Sequence, residues 1–201
     1  MILQQNNCHV FCAVSYETAT FCDLKFFLSE SKNCLHRIDP ESFMAGQRII
    51  GTCNYMNLIT KDMHHRQQIC EIFDADHLDR FSFVHDMSTV SGAQIKLGSF
   101  IYPLVSIYPN AKIEPDVIIH SQCLIAHDVE IGQGSFFSGA VTVGGSTKIG
   151  HYCTFGLAAT VYDKIHTTSH CYFGARTIIR KNVNVSGKYG WAKTNCLRRL
   201  R

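Results

Sequence analysis

The chain has 201 residues, 46% hydrophobic and 17% charged, which excludes intrinsic disorder and allows one large domain or two small ones around buried cores. A formal net charge of +3, with no Lys/Arg run interleaved with aromatics, argues against a nucleic-acid partner. No apolar run approaches the roughly 20 residues of a membrane span. Met1 to Val14 lacks the basic start of a signal peptide, and the ten cysteines contain no C-x-x-C pair. The expectation is a soluble, cytoplasmic chain with reduced, mostly buried thiols.

Residues 1–86 alternate between strand and helix patterns. His9 to Val14 predicts a strand, and Glu17 to Ser31 an amphipathic helix carried by Phe21, Leu24 and Leu28. Tyr55 to Ile59 predicts a second strand, Lys61 to Ala75 a helix, and Phe81 to His85 a strand leading onward. This is a small α/β unit of parallel character. Such units often hold a nucleotide at a glycine-rich turn after the first strand, but here the turn is Ala13-Val14-Ser15-Tyr16. Without glycine, a purely structural cap fits this unit as well as a nucleotide site does.

From Ile95 the chain counts in sixes. Every sixth residue from Ile95 to Val185 is apolar except Thr167, fifteen of sixteen positions. Four residues after each comes a small or β-branched side chain, as at Val117, Cys123, Val129, Cys153 and Cys171, with Ile165 the bulky exception. Two residues after each come corner formers such as Pro103, Pro109, Pro115, Gly139 and Gly145. A period of six fits neither an α-helix nor an alternating meander, but suits short strands separated by sharp corners, that is, a solenoid. Phe137, Phe155 and Phe173 recur at every third hexad, so three hexads make one triangular coil and equivalent positions of successive coils stack. The predicted organisation is an α/β unit over 1–86, a parallel β-helix over 87–187 and a basic tail over 188–201.

His127 occupies a corner, two residues after Ile125, and so points outward. The residue one coil on is Gly145, whose backbone N–H would share that corner, placing a candidate base and a candidate oxyanion donor on one cleft. Asp128 follows and could orient the ring. Position alone fits a solvated corner histidine equally. His120, His151, His166 and His170 invite a metal reading, but neither His151 nor His166 lies a whole number of coils from His127, so they fall on different edges. Cys123, Cys153 and Cys171 are explained by packing. From Lys148 onward the chain carries ten of its nineteen Lys/Arg and one acid, Asp163, which suits a polyphosphate ligand such as coenzyme A, or a solvated basic tail.

The stretch Ile119 to Gly145 resembles the active-site segment of bacterial sugar acyltransferases of the sialic-acid O-acetyltransferase type. These include N-acetyltransferases of nucleotide-linked 4-amino-dideoxy sugars. Phe83-Val84-His85 resembles their junction, so the likeness covers roughly residues 55–193 and, loosely, the first 54. The resemblance implies a left-handed β-helix, acetyl-CoA as cosubstrate without metal, a nucleotide-sugar acceptor, and a homotrimer with coenzyme A between subunits.

It assigns His127 as general base with Asp128 beside it, and the Gly145 amide to the acetyl carbonyl. The amides of Leu157 and Ala175 fall to the pantetheine arm, and Lys193, in Gly190-Trp191-Ala192-Lys193, to the adenine end. His120 and Phe136 stand where the family has an asparagine and a second histidine lining the acceptor pocket. The family's G-x-P-A-K proline and its glycine-rich first turn are missing here. The activity implied is N-acetylation of a nucleotide-linked amino-dideoxy sugar. O-acetylation of a sugar, or an inactive scaffold that kept its coils, are the alternatives.

Overall fold

Short, largely apolar runs in the first segment build a three-stranded parallel sheet. Its central strand is β1 (Val10–Val14), flanked by β2 (Cys34–Ile38) and β3 (Asn54–Asn57). The computed structural model describes residues 10–15, 34–46, 54–58, 62–191 and 197–199. It divides the chain into two units, Met1–Phe83 and Val84–Arg201.

In the first unit, Asp39 accepts hydrogen bonds from the N–H groups of Glu41 and Ser42, which with Pro40 starts the short helix α1 (Pro40–Met44). Asp62 does the same through His64 and His65 for α2 (Met63–Ala75). Phe43, Tyr55 and Phe73 meet with ring centroids 5.6 to 5.8 Å apart and form the core of this unit. Arg66 is fully buried on α2, donating from Nη1 to the Asn57 carbonyl at 3.0 Å while Asn57 Nδ2 donates back to the Arg66 carbonyl at 2.9 Å.

The strand ending at Val14 and the helix ending at Ala75 match expectation, whereas the strand expected over Phe81–His85 is only Phe83–Val84. β2 and α1 have no counterpart among the expected elements. β2 carries exposed His36 and Arg37, which interrupt its apolar run. The helix expected over Glu17–Ser31 lies outside the described residues.

In the second unit, short strands stack in register, coil upon coil, on three faces. Phe100–Ile101 pairs with Ile118–Ile119, then Phe136–Phe137, then Thr154–Phe155 on the first face. Ser106–Ile107, Leu124–Ile125, Thr142–Val143 and Thr160–Val161 form the second. Lys112–Ile113, Glu130–Ile131, Lys148–Ile149 and His166–Thr167 form the third. The predicted aliphatic positions from Ile101 to Ile179 are buried in one core, where Phe137 and Phe155 stack at 4.7 Å and Phe155 and Phe173 at 4.9 Å.

The tight corner residue comes one position later than the proline and glycine corner formers. From Leu104 to Arg176 every sixth residue except Gly134 is a non-glycine with φ between 53° and 63°. None is β-branched, the class least able to adopt that conformation.

The coil length departs from three full hexads at both ends. Val90 pairs with Ile107, one position short of a full coil, so the solenoid starts before Ile95 behind a step that a count of six misses. At the other end Cys171–Phe173 pairs with Gly187–Tyr189 and Thr167 with Val183, a coil two positions short. Val183, expected inward as the small residue four after Ile179, instead takes the aliphatic place paired with Thr167, and Val185, the expected inward aliphatic, is 55% exposed. The coil also continues past residue 187: Gly187–Trp191 extends the first face and Leu197–Arg199 pairs antiparallel to it.

Candidate active site

Each corner uses its backbone groups in a fixed way. The residue one past the inward aliphatic donates to the next coil, as Ala126 N–H does to the Val143 carbonyl at 3.0 Å. The residue three past donates to the preceding coil, as Asp128 N–H does to the Pro109 carbonyl at 3.1 Å and Ser146 N–H to the His127 carbonyl at 2.9 Å. The amide between them makes no bond to the backbone of either neighbouring coil. His127, Gly145 and Asp163 hold this position on three successive coils.

The His127 side chain is 63% exposed and its Nδ1 lies 2.7 Å from Asp128 Oδ2. Adjacent residues of a strand point apart, but φ of 56° at Asp128 folds its carboxylate back beside the ring. Asn110, one coil earlier, donates from Nδ2 to Asp128 Oδ1 at 3.0 Å. The His127 contact first, and Asn110 second, hold the Asp128 carboxyl below the ordinary aspartate range. An ionised carboxylate only accepts, so neutral His127 carries its hydrogen on Nδ1 and presents the Nε2 lone pair. Nε2 lies over Gly145: a Cβ there would fall 2.7 Å from it.

Gly145 is buried, and its N–H donates to Asp163 Oδ1 at 2.8 Å. The candidate donor is thus engaged by an exposed side chain one coil further on, a contact absent from the sequence reading. Leu157 and Ala175 lie one coil apart on another corner, exposed, and among the described residues neither N–H has an acceptor. His120 stacks on Tyr102 at 4.0 Å and meets Phe136 edge-on at 5.5 Å, and Phe136 retains only 9% exposure. Lys193 lies outside the described residues.

Among the described residues no three His, Cys, Asp or Glu side chains converge as metal ligands would. A depression of about 360 Å³ on the third face is lined by Lys112, Glu114, Glu130 and His151 among others, and Glu130 is paired to Lys148 at 3.1 Å. Cys123 and Cys153 are buried free thiols. Burial pushes Cys123 up to about 12; contact with Cys171, then burial, raises Cys153. Both are packing residues. No helix among the described residues is long and apolar enough to cross a membrane.

This fold, a left-handed parallel β-helix of hexapeptide repeats behind an α/β unit, is that of the sugar N-acetyltransferase structures. The acetyltransferase domain of PglB from Neisseria gonorrhoeae aligns with a TM-score of 0.82 at 15% identity, covering 96% of this chain and 100% of that one; a second structure of that domain contains acetyl coenzyme A. PerB from Caulobacter crescentus, in complex with CoA and GDP-perosamine, aligns with a TM-score of 0.77 at 14% identity over 95% of this chain and 97% of that one. At these identities the likeness establishes the fold.

By sequence, a UDP-3-O-acylglucosamine N-acyltransferase of Janthinobacterium sp. (strain Marseille) is 32% identical over 77 residues, 38% of this chain and 22% of that protein. The chain therefore matches about a fifth of the length of that curated relative. No family model matches.

Proposed function

We propose that the protein transfers the acetyl group of acetyl-CoA to the amino group of a nucleotide-linked amino-dideoxy sugar, with His127 as general base. The observation that carries this reading is the stacking of His127 Nε2 on Gly145, in a chain with the fold of enzymes whose structures contain acetyl-CoA, CoA and GDP-perosamine. The open amides of Leu157 and Ala175 suit a ligand with successive carbonyls, as the pantetheine arm has.

The uncharged amine attacks the thioester carbon, forming the C–N bond, and its proton passes to His127 Nε2 while Asp128 holds Nδ1. The Gly145 N–H faces the oxyanion of the tetrahedral intermediate. Collapse breaks the C–S bond, and imidazolium returns the proton to the CoA thiolate. No covalent enzyme intermediate is required.

The reading carries with it a homotrimer with coenzyme A between subunits, and an acetyl-CoA-dependent activity fits a cytoplasmic location. Thiol release from acetyl-CoA with a panel of amino and hydroxy nucleotide sugars tests the reading. His127→Ala should lower turnover roughly 100- to 10,000-fold with the fold intact. Unchanged turnover in that variant refutes His127 as base; transfer only to hydroxy sugars replaces N- by O-acetylation.

A further inference from the structure

The amide that the proposed reaction needs is already in use. Gly145 N–H donates to Asp163 Oδ1 at 2.8 Å, and that oxygen lies so close over the preceding glycine that a Cβ on Gly144 would fall 2.3 Å from it. The carboxylate thus covers the Gly144–Gly145 peptide from one coil above, while the His127 ring covers Gly145 from one coil below. Two other corner amides are capped from the next coil: Gln133 N–H by His151 Nδ1 at 3.1 Å and His151 N–H by Ser169 Oγ at 3.0 Å. Among the described residues, only at Gly145 is the cap an acid, and only there does the capped residue face the candidate base.

A thioester carbonyl oxygen and a carboxylate oxygen compete for one N–H, and an anion left beside it would oppose the negative charge that develops in the intermediate. Asp163 is exposed, so its carboxylate can leave by side-chain rotation without disturbing the coil. Lys164, the next residue, has its N–H bonded to the Gly145 carbonyl at 2.8 Å, which keeps the backbone of both coils in place while the side chain turns.

We infer that Asp163 is a displaceable cap on the Gly145 donor, a positioning residue that the acetyl group must unseat, and that it thereby sets affinity for acetyl-CoA separately from affinity for CoA. The inference rests on the proposed function. CoA lacks the acetyl carbonyl and has no cause to displace the cap, whereas acetyl-CoA exchanges one acceptor for another. Because the cap must be displaced before both bound substrate and transition state, its effect belongs to KM for acetyl-CoA and not to kcat.

The test is calorimetric titration of the full chain with CoA and with acetyl-CoA, in wild type, Asp163→Ala and Asp163→Asn. Removing the charged acceptor should tighten acetyl-CoA binding about 3- to 10-fold and leave CoA binding unchanged. Asp163→Asn, which keeps a neutral acceptor on the amide, should fall between, and it decides the matter should Asp163→Ala fail to fold. Steady-state rates should show KM for acetyl-CoA falling by the same factor at constant kcat. Equal changes for both ligands, or none for either, make Asp163 a corner cap only and overturn the inference while the proposed function stands. Failure of wild type to bind CoA overturns the proposed function and this inference with it.

Discussion

His127 and Gly145, one coil apart, are stacked so closely that a Cβ on the glycine would fall 2.7 Å from Nε2 and 2.9 Å from Cε1 of the ring. On Gly144 a Cβ would instead meet backbone, the Asp163 nitrogen at 2.6 Å and the Tyr162 carbonyl carbon at 2.8 Å. The imidazole is exposed and can swing away; the backbone cannot. Gly145→Ala should therefore cost at most about 1 kcal/mol of stability yet lower turnover by roughly 10-fold or more, because the proposed base is displaced. Gly144→Ala should cost about 2 to 3 kcal/mol by forcing two coils apart. Thermal melts read alongside initial rates separate the two, and equal stability losses would contradict the assignment.

Asp128 is held in its ionised form by His127 and by Asn110. A carboxyl depressed on folding contributes stability that is complete above the ordinary aspartate pKa and is lost as pH falls through the depressed value. Asn110→Ala removes the second cause and should move the Asp128 titration upward. Carbon-13 NMR of the Asp128 carboxyl follows it directly; an unmoved titration would show that the Asn110 contact does not matter.

Phe155 lies between Phe137 and Phe173 with no exposure, so Phe155→Ala leaves a void across three coils. A loss of about 3 to 5 kcal/mol is expected in urea denaturation. A loss below about 1 kcal/mol would mean that the coils close around the gap.

The final coil is cut short, so that Val183 pairs with Thr167 and Val185 is left exposed. Val183→Asp should cost about 2 to 4 kcal/mol and Val185→Asp no more than about 0.5 kcal/mol. A coil of three full hexads would bury Val185 as well as Val183 and make both substitutions costly, so chemical denaturation of the two variants decides the register.

Contacts in a coil of constant length join residues at one constant separation, so a linear text records them directly. That is why the aliphatic stripe, the Phe137–Phe155–Phe173 stack and the meeting of His127 with Gly145 are legible in the sequence. Counting one more coil reaches Asp163, although by residue type alone it stands out only as the single acid of a basic segment. Asn110, one coil before Asp128, lies within reach of the same count.

The rest depended on geometry with no repeat distance. The shortened coils at the two ends follow from how individual corners close, and a period of six cannot report its own exceptions. The turn of Asp128 back onto His127 required a left-handed backbone at one residue, and the seating of Asp163 on Gly145 required one rotamer among several. In the α/β unit, Arg66 on α2 and Asn57 on β3 pair at a separation that follows no repeat, so packing brought them together. Periodic contacts are encoded as spacing, whereas side-chain direction is settled by whichever partners the folded chain supplies.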